Sequence, residues 1–518
     1  MINNTKNKKL ISNFMILLIF IFLVFWAILL LNTFIGDPSI YLIYAKNISK
    51  GDFFSFNPKQ FSSGSTSPLW AMILSLGFLV PNGVIITKII SLIFTLLAVF
   101  LTYKMSFQIS QSGIGSALGI AFLLYFLAFP GLMIYESSLI IFLISILIIL
   151  NLRIIFHQHK ETIRKNILGI FLICSLIPLV RPDAIIIVFF NLIILLYLFF
   201  RNKKLLFLTL TLFLFSLLPS IFYFGYSYLT LGTFSVSSYC RAFALKESAK
   251  TYSGFFYSLS AIKLFFKFPW NIGIGFTLWG WEKYRKQSSV HQYLVYFSFL
   301  VLTSYLLMLS FISPVTNSVQ RYILPTIPFL IPFASIGFDD FLNILMKKKY
   351  NTLLIGLFLL FMLPILSVTK KVIGETKRGL TFNIITEKGI IDYLNAIGDP
   401  NATVLVYEVQ DRYYLRPDLK LLSLDGITDG KIAPYLNNEN ISSFLWKYKP
   451  KYWLANDAVF YRSFLSKSIL KQVVEKSGKI EGDSVRIDGI TFTNIRIRKE
   501  PMIKGFAAFR QVYKINYE

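Results

Sequence analysis

Long apolar runs recur through the first two thirds of this 518-residue sequence. About eleven of them have the 17 to 25 residues that an α-helix needs to cross a bilayer. They cover residues 10–34, 83–108, 113–130, 132–152, 166–181, 183–201, 204–231, 255–281, 290–312, 322–343 and 350–370. With 55% hydrophobic residues, the chain has more apolar side chains than one water-soluble core can bury. The sequence therefore predicts a membrane all-α bundle of about eleven transmembrane helices.

The apolar runs stop near Ser367. In the remaining sequence, short apolar segments alternate with polar ones, as in a water-soluble domain. Residues 403–407 and 420–424 are typical of strands, and residues 444–449 are typical of a short helix. Alternating strands and helices indicate a small α/β domain. We therefore expect a transmembrane domain over residues 1–370, with a first outer loop at 35–82, and a soluble α/β domain over residues 371–518.

The formal charge of +26 belongs largely to basic clusters between the apolar runs. Under this count the clusters near residues 6–9, 153–165, 201–204 and 283–286 all fall on one side of the membrane. Lys and Arg are enriched in cytoplasmic loops, so we expect a multi-pass protein of the inner (plasma) membrane with a cytoplasmic N-terminus and an extracytoplasmic C-terminal domain. This charge placement favours membrane lipid over nucleic acid as a partner. Residues 68–79 are apolar but too short to cross, which predicts an interfacial or re-entrant helix.

Several charged residues fall on the predicted extracytoplasmic side. A carboxylate beside hydrocarbon is costly, so an acid at a membrane edge is a functional candidate unless a partner explains it. The alternative is that these residues are ordinary charged ends of loops. The set contains Asp37, Glu136, Arg181, Asp183, Arg241 and Arg321.

Five short motifs occur in a recognisable order along the chain. They are Gly36-Asp37-Pro38 followed by Gly64-Ser65-Thr66-Ser67-Pro68-Leu69-Trp70, then Tyr135-Glu136-Ser137-Ser138, Arg181-Pro182-Asp183 and Arg321-Tyr322-Ile323-Leu324-Pro325. This order resembles the GT-C fold, the multi-spanning glycosyltransferases that use lipid-linked sugars, and in particular the bacterial branch of arabinofuranosyl and aminoarabinose transferases. The sequence departs from that pattern at Pro38, where a second acid is usual, and at Ser65 and Ser137.

The resemblance implies an enzyme, a glycosyltransferase that moves a sugar from a polyprenyl-phosphate donor to a lipid, glycan or protein acceptor. It also implies inversion of the anomeric centre in one displacement, for which one carboxylate is enough as general base. Asp37 is the candidate base, and the alternative is that it caps the helix that follows. Glu136 is the second catalytic candidate. It would share the acceptor site, tune Asp37 by like-charge repulsion, help to hold a cation, or pair with an arginine.

The leaving phosphate calls for guanidinium groups, which offer paired donors and keep their charge beside lipid. Arg241, Arg321 and Arg181 are the candidates, with Arg241 best placed by the resemblance. The alternative is that they form salt bridges with Asp183, Glu136 or lipid headgroups. Supporting roles at the substrate site are expected for Tyr41, Lys46, Asp183 and Tyr322.

Only three histidines occur in the sequence, and we find no phosphate-binding glycine-rich loop. We therefore predict no metal ligands and no certain cofactor, while a divalent cation held by oxygen ligands at Asp37 and Glu136 stays an alternative. Two rival functions remain open. A transporter or flippase of lipid-linked sugars would use the same charges as a translocation path, and a non-catalytic scaffold would use the bundle only as an anchor.

Overall fold

The computed structural model describes most of the chain. The described residues are 5–33, 38–156, 160–235, 270–286, 289–312, 323–347, 352–395, 397–407, 418–424, 426, 429, 431–436, 440–456, 468–477, 480–497 and 509–518. Their architecture is a multi-helix membrane bundle followed by a C-terminal domain built on a mixed β-sheet. The predicted fold class is confirmed.

Eleven long helices form the bundle, and two short ones lie beside it. The long helices are α1 (Thr5–Leu29), α4 (Gly83–Ser110), α5 (Gly113–Leu132), α6 (Ser137–Phe156), α7 (Lys160–Val180), α8 (Ile185–Phe199), α9 (Lys203–Leu231), α10 (Trp270–Arg285), α11 (Ser289–Ile312), α12 (Ile327–Lys347) and α13 (Thr352–Asn395). The short helices are α2 (Pro38–Ser49) and α3 (Pro68–Ser75). Within the described ranges, nine helices are long and apolar enough to cross a membrane.

The two remaining long helices correspond to the other predicted spans. Helix α11 matches the span expected at 290–312. Helix α10 matches the end of the span expected at 255–281, whose residues 255–269 lie outside the described part of the chain. Helix α3 and the 3₁₀ turn after it, Leu76–Leu79, are together too short to cross a bilayer.

Local sequence signals fix several helix ends. The Ser112 hydroxyl accepts the Gly115 N–H at 3.1 Å and caps α5, and the Asn202 amide oxygen accepts the Leu205 N–H at 3.3 Å and caps α9. Helix α9 ends at Leu231 and is capped by Gly232, whose φ of +71° suits glycine. These caps satisfy backbone donors and acceptors that a membrane protein cannot leave exposed to lipid.

Glycines allow α12 to contact two neighbouring helices through their backbones. A Cβ atom on Gly280 of α10 would lie 1.8 Å from the Phe333 carbonyl oxygen, and one on Gly337 of α12 would lie 2.1 Å from the Phe276 carbonyl oxygen. On the other side of α12, a Cβ atom on Gly115 would lie 2.3 Å from the Ser335 carbonyl oxygen. Such close approach is how helices associate in lipid, where the hydrophobic effect does not drive them together.

Buried hydroxyl pairs also join neighbouring helices. The Thr102 and Ser145 hydroxyls, on α4 and α6, lie 2.9 Å apart, and those of Ser106 and Ser335, on α4 and α12, lie 2.6 Å apart. Each hydroxyl satisfies the other where water is excluded. The helices from α4 to α9 alternate in direction, so the turns at 133–136 and 181–184 lie at the same end as α2 and α3. We call this end the domain end.

The C-terminal domain contains a six-stranded sheet in the order β2-β1-β3-β6-β5-β4. The strands are β1 (Thr403–Val406), β2 (Lys420–Ser423), β3 (Tyr452–Asn456), β4 (Ser484–Ile487), β5 (Ile490–Ile497) and β6 (Phe509–Tyr517), and the helices are α14 (Ala433–Leu436), α15 (Ile441–Tyr448) and α16 (Ile469–Lys476). Strand β1 pairs in parallel with β2 and β3, and the other pairs are antiparallel. Helix α13 runs without a break through residue 370, and the domain division there stays a prediction.

Each face of the sheet packs on a different partner. Helices α15 and α16 cover one face, where Phe444, Leu470 and Trp453 share one core. The other face packs on α2, where Ile43, Tyr44 and Ile48 join Val404 and Leu421 in a second core. The opposite side of α2, with Tyr41, Leu42 and Ala45, belongs to the core of the bundle. Helix α2 is therefore shared between the bundle and the C-terminal domain.

The contact between α10 and α12 makes a stability prediction. Gly280→Ala should destabilise the bundle by at least about 1–3 kcal/mol, because the new methyl group must displace a neighbouring backbone. Gly275→Ala on the same helix is the control, since a Cβ atom there meets nothing within 4 Å. Thermal unfolding of the detergent-solubilised variants measures the difference. Equal melting temperatures for the two variants would contradict this packing.

Candidate functional site

A buried ionic network lies at the domain end of the bundle. Arg181 Nη1 lies 3.2 Å from Glu136 Oε1, and Arg181 Nη2 lies 2.8 Å from Asp183 Oδ2. Arg181 Nε also donates to Asp183 Oδ1 at 3.1 Å, so this pair is bidentate. The side chains of Arg181 and Glu136 are 4% and 3% exposed. Arg181 and Glu136 are therefore held together out of water, and the half-buried Asp183 completes the group.

Turns between helices position these three side chains. Arg181 precedes the 3₁₀ turn Pro182–Ala184 between α7 and α8, and Pro182 begins that turn. Glu136 directly precedes α6, where its carboxylate is stabilised by the positive end of the helix dipole. The turn before it includes Ile134 at φ +64°, and the Trp70 indole N–H donates to the Ile134 carbonyl at 2.8 Å. The motif around Trp70 thus supports the turn that carries Glu136.

Two tyrosines complete the network. The Tyr41 hydroxyl donates to Glu136 Oε2 at 2.9 Å and forms a second hydrogen bond with the Thr66 hydroxyl, also at 2.9 Å. The Tyr305 hydroxyl donates to Asp183 Oδ2 at 2.6 Å. Each carboxylate therefore accepts hydrogen bonds from the guanidinium and from one phenol. Tyr41 belongs to α2, so it joins the first outer loop to the bundle.

The structure brings together four of the residues predicted for the site, which are Tyr41, Glu136, Arg181 and Asp183. Four others, Asp37, Arg241, Arg321 and Tyr322, lie outside the described residues. Lys46 lies in the last turn of α2 and is half-buried, and no salt bridge involving it is found among the described residues. Partial burial and the nearby Lys50 lower the pKa of Lys46.

The alternative considered for Arg181 and Glu136, a salt bridge, is what the structure shows. All three guanidinium nitrogens of Arg181 donate to Glu136 or Asp183. Both oxygens of Glu136 accept a hydrogen bond, one from Arg181 and one from Tyr41. The catalytic role of Glu136 and the phosphate-binding role of Arg181 stay predictions.

Three residues of the network were not singled out from the sequence. Thr66 lies within the motif of residues 64–70 and was given no task, and Trp70 of the same motif was expected only to anchor the chain in the bilayer or to stack on a substrate. Tyr305 lies inside the apolar run at 290–312. A tyrosine in such a run predicts only a lipid-facing or core position. Only the packing of α11 against α8 reveals its contact with Asp183.

Buried hydroxyls without a hydrogen-bond partner flank the network. Within the part of the chain that the structure describes, the hydroxyl oxygens of Ser65, Ser67 and Ser137 lack a partner. In the sequence, Ser65 and Ser67 adjoin Thr66 and Ser137 adjoins Glu136, and Thr66 and Glu136 are the two hydrogen-bond partners of Tyr41. An unpaired buried hydroxyl costs about 1–3 kcal/mol. This cost is what a polar ligand or a movement of the loop would relieve.

The first outer loop is also fixed to the C-terminal domain. Asn57 Nδ2 donates to the Leu421 carbonyl at 2.8 Å, and the Leu421 N–H donates to Asn57 Oδ1 at 2.9 Å. The amide thus satisfies the edge strand β2 as a neighbouring strand would. Lys431 Nζ adds a hydrogen bond to Gln60 Oε1 at 2.8 Å. The loop therefore holds the ionic network and the sheet in a fixed relation.

Helix α2 packs against the same loop. The Tyr44 hydroxyl donates to the Ser62 hydroxyl at 2.8 Å, and burial raises the pKa of Tyr44 well above its usual value. Asn47 Nδ2 donates to the carbonyls of Ser55 and Phe56 at 2.9 and 3.0 Å. The loop is therefore hydrogen-bonded to α2 through Tyr44 and Asn47, and to β2 through Asn57.

A metal site was the remaining alternative for the acids. Among the described residues, no group of three or more His, Cys, Asp or Glu side chains is placed to hold a metal ion. Asp37, one of the two acids considered for a cation, is outside those residues.

Two solved structures share this architecture. A crystal structure of ArnT from Cupriavidus metallidurans bound to undecaprenyl phosphate matches with a TM-score of 0.57 and 12% sequence identity, over 97% of this chain and 98% of that chain. The same protein in the apo state matches with a TM-score of 0.55, at the same identity and coverage. No protein-family model and no curated protein sequence matches the chain. The resemblance expected from the motifs is thus confirmed at the level of the fold.

The buried ion pair makes the next prediction. Glu136→Ala should lower the free energy of unfolding by about 3–5 kcal/mol, because it removes one partner of a buried charge pair. The control is Glu161→Ala, which removes an exposed partner of Lys165 at 81% exposure and should cost less than about 1 kcal/mol. Thermal unfolding in detergent compares the two. Similar losses would show that the network is not a major source of stability.

The amide of Asn57 gives a second prediction for this region. Asn57→Asp should loosen β2 at its edge, because a carboxylate oxygen would face the Leu421 carbonyl in place of a donor. Hydrogen exchange of residues 420–423 should rise by about tenfold or more, a change equivalent to about 1.4 kcal/mol. Asn440→Asp is the control, since Asn440 caps α15 through its side-chain oxygen and Asp caps as well. Unchanged exchange in Asn57→Asp would contradict the edge role.

Proposed function

We propose that this chain is an integral membrane glycosyltransferase that moves a sugar from a polyprenyl-phosphate donor to a lipid, glycan or protein acceptor. The observation that carries the proposal is the fold, which follows ArnT, a protein crystallised with undecaprenyl phosphate, over 97% of this chain. A buried polar network at one end of a hydrophobic bundle supports it. A lipid-linked donor needs both an apolar surface for its chain and a polar site for its phosphate and sugar.

The active face in this proposal is extracytoplasmic. The basic residues at the ends of described helices support this orientation, because Arg153 of α6, Lys203 of α9 and Lys283 of α10 lie at the end opposite the domain end. The N-terminus is then cytoplasmic, and the C-terminal domain faces away from the cytoplasm. A lipid carrier supplies an activated sugar on a side of the plasma membrane that lacks cytoplasmic nucleotide sugars.

The proposed reaction is a single displacement. The Asp37 carboxylate takes the proton from the acceptor hydroxyl, and the acceptor oxygen at the same time forms a bond to the anomeric carbon. The bond from that carbon to the phosphate oxygen breaks, and polyprenyl phosphate leaves with inversion of the anomeric centre. Asp37 is followed directly by Pro38, the first residue of α2, and one turn later Tyr41 donates to Glu136. This order along the chain supports a base beside the ionic network.

Glu136 acts on that base through its charge in this proposal. Both of its oxygens already accept hydrogen bonds, so it is less suited to take a proton itself. A second carboxylate nearby raises the proton affinity of Asp37, which makes Asp37 a stronger base. Asp183 and Tyr305 hold Arg181 in place, and Tyr41 keeps α2 against the bundle.

The leaving phosphate would be neutralised by Arg241, Arg321 and Lys46. Lys46 is half-buried on α2 and forms no salt bridge with the other described residues, so its ammonium group is available to an anion. Arg181 contributes a positive charge near the phosphate, but it shares that charge between two carboxylates. Tyr322, next to Arg321 in the sequence, supports the same part of the site.

Sugar transfer by the purified protein tests the proposal. The reconstituted chain is incubated with a panel of polyprenyl-phosphate sugars and membrane-lipid or glycan acceptors, and the products are identified by mass spectrometry. Asp37→Asn should reduce transfer by about 10² to 10⁴-fold, the usual contribution of a general base. The control is Asp340→Asn, which affects an exposed salt bridge with Lys283 at the opposite end of the bundle.

Other outcomes separate the rival functions. Full transfer by Asp37→Asn would remove the catalytic role of Asp37. Movement of lipid-linked sugar across the membrane without transfer would favour the transporter. Loss of transfer after EDTA treatment, restored by a divalent ion, would favour a cation held by Asp37 and Glu136.

A further inference from the structure

We infer that the C-terminal domain carries a binding site for the phosphate group of an anionic membrane lipid. The site consists of the lysines Lys431, Lys447 and Lys449 and the aromatic rings of Tyr435, Trp446 and Tyr448, and we call it the lysine–aromatic patch. These residues belong to α14, α15 and the segments beside them. The inference does not depend on the proposed sugar transfer, since no residue of the ionic network takes part.

Each of the three ammonium groups lies within 6 Å of an aromatic ring centroid. Lys447 Nζ lies 5.4 Å from the ring centroid of Tyr448 and 5.9 Å from that of Tyr435. Lys431 Nζ lies 5.5 Å from the Tyr448 centroid, so two cations contact the same ring. Lys449 Nζ lies 5.8 Å from the Trp446 centroid. Cation–π contacts of this kind restrain the long lysine side chains and leave their outer N–H groups to donate to an anion.

These cations lack carboxylate partners. Across the described ranges, none of the salt bridges involves Lys431, Lys447 or Lys449. The nearby Asp429 is buried and accepts the backbone N–H groups of Ser423 and Lys431. Lys431 and Lys447 contact the same Tyr448 ring, and Lys449 follows two positions after Lys447, so their positive charges produce a local field that attracts an anion.

The position of the patch favours a lipid over a soluble anion. Lys431 Nζ donates to Gln60 Oε1, and the ring of the adjacent Phe61 packs edge-on against Tyr226 of α9 at 4.7 Å between centroids. Leu231, the last residue of α9, packs against the core that includes α15. The patch therefore adjoins the end of a membrane-spanning helix.

That end of α9 has the features of a membrane interface. Helix α9 has 29 residues and is about 43 Å long, which exceeds the hydrocarbon thickness of about 30 Å. Its last turns expose Tyr226 at 54%, Tyr228 at 50% and Leu229 at 84%. Tyrosines are enriched where a helix leaves the hydrocarbon core. We therefore place the lysine–aromatic patch near the lipid phosphates, which attract basic groups at the membrane surface.

Binding of a short-chain anionic lipid to the full chain tests the inference. The protein is purified in an uncharged detergent and titrated with dihexanoylphosphatidylglycerol, and bound lipid is counted by native mass spectrometry. The triple variant K431Q/K447Q/K449Q should bind it at least about fivefold more weakly, the effect of losing one interfacial lysine or more. The control K420Q/K476Q/K514Q, which removes three exposed lysines of the same domain, should bind like the unmodified chain.

Two comparison ligands separate the sources of the phosphate. Dihexanoylphosphatidylcholine should bind more weakly than the anionic lipid, and glycerol 3-phosphate should compete only at much higher concentration. Equal binding by the two triple variants, or equal binding of the two lipids, overturns the inference. Preferential binding of glycerol 3-phosphate would assign the patch to a soluble anion instead. If the triple variant does not fold, K447Q alone is used, because Lys447 is exposed on α15.

Discussion

The domain end of the molecule depends on one buried guanidinium. Arg181 lies almost entirely out of water, and a charge in that position is tolerated only if nearby groups compensate it. Glu136 and Asp183 do so, and each is in turn held by a tyrosine from another helix, Tyr41 or Tyr305. Four separate parts of the chain must therefore meet at one point: the turns before α6 and α8, helix α2 and helix α11. The geometry of the candidate site follows from this requirement.

Much of the bundle was predictable because each transmembrane helix is encoded locally. A run of about 20 apolar residues is sufficient to define a span, and the alternation of spans placed Glu136, Arg181 and Asp183 at one end before any contact was known. The choice of partners was not encoded in this way. The sequence left Arg181 with two interpretations, a phosphate ligand and a salt bridge, because composition does not state which side chain a charge faces. The contacts from Arg181 to Glu136 and Asp183 settle its pairing in this structure.

The connections to the C-terminal domain could not be predicted for a related reason. Asn57 pairs with Leu421 across 364 positions of sequence, and neither residue belongs to a motif that indicates the other. The strand order of the mixed sheet could not be predicted from local sequence either. Strand β6 is the last in the chain, yet it lies between β3 and β5 in the sheet. Individual strands such as 403–407 were predictable from their apolar side chains, but their neighbours depend on how distant segments pack. Function has the same limit, because a fold does not determine the reaction, which depends on the side chains around the site.

Helix α2 has a mechanical consequence for the whole protein. Its two sides belong to two hydrophobic cores, one in the bundle and one under the sheet, and Asn57 adds a tie to the sheet edge. The covalent link through α13 is therefore not what keeps the domain in place. If the peptide chain were cut between α13 and β1, the bundle and the C-terminal domain would stay associated through α2. The two fragments would separate only when the hydrophobic cores unfold. For the same reason, a ligand that displaced the sheet would move α2 and break the hydrogen bond from Tyr41 to Glu136.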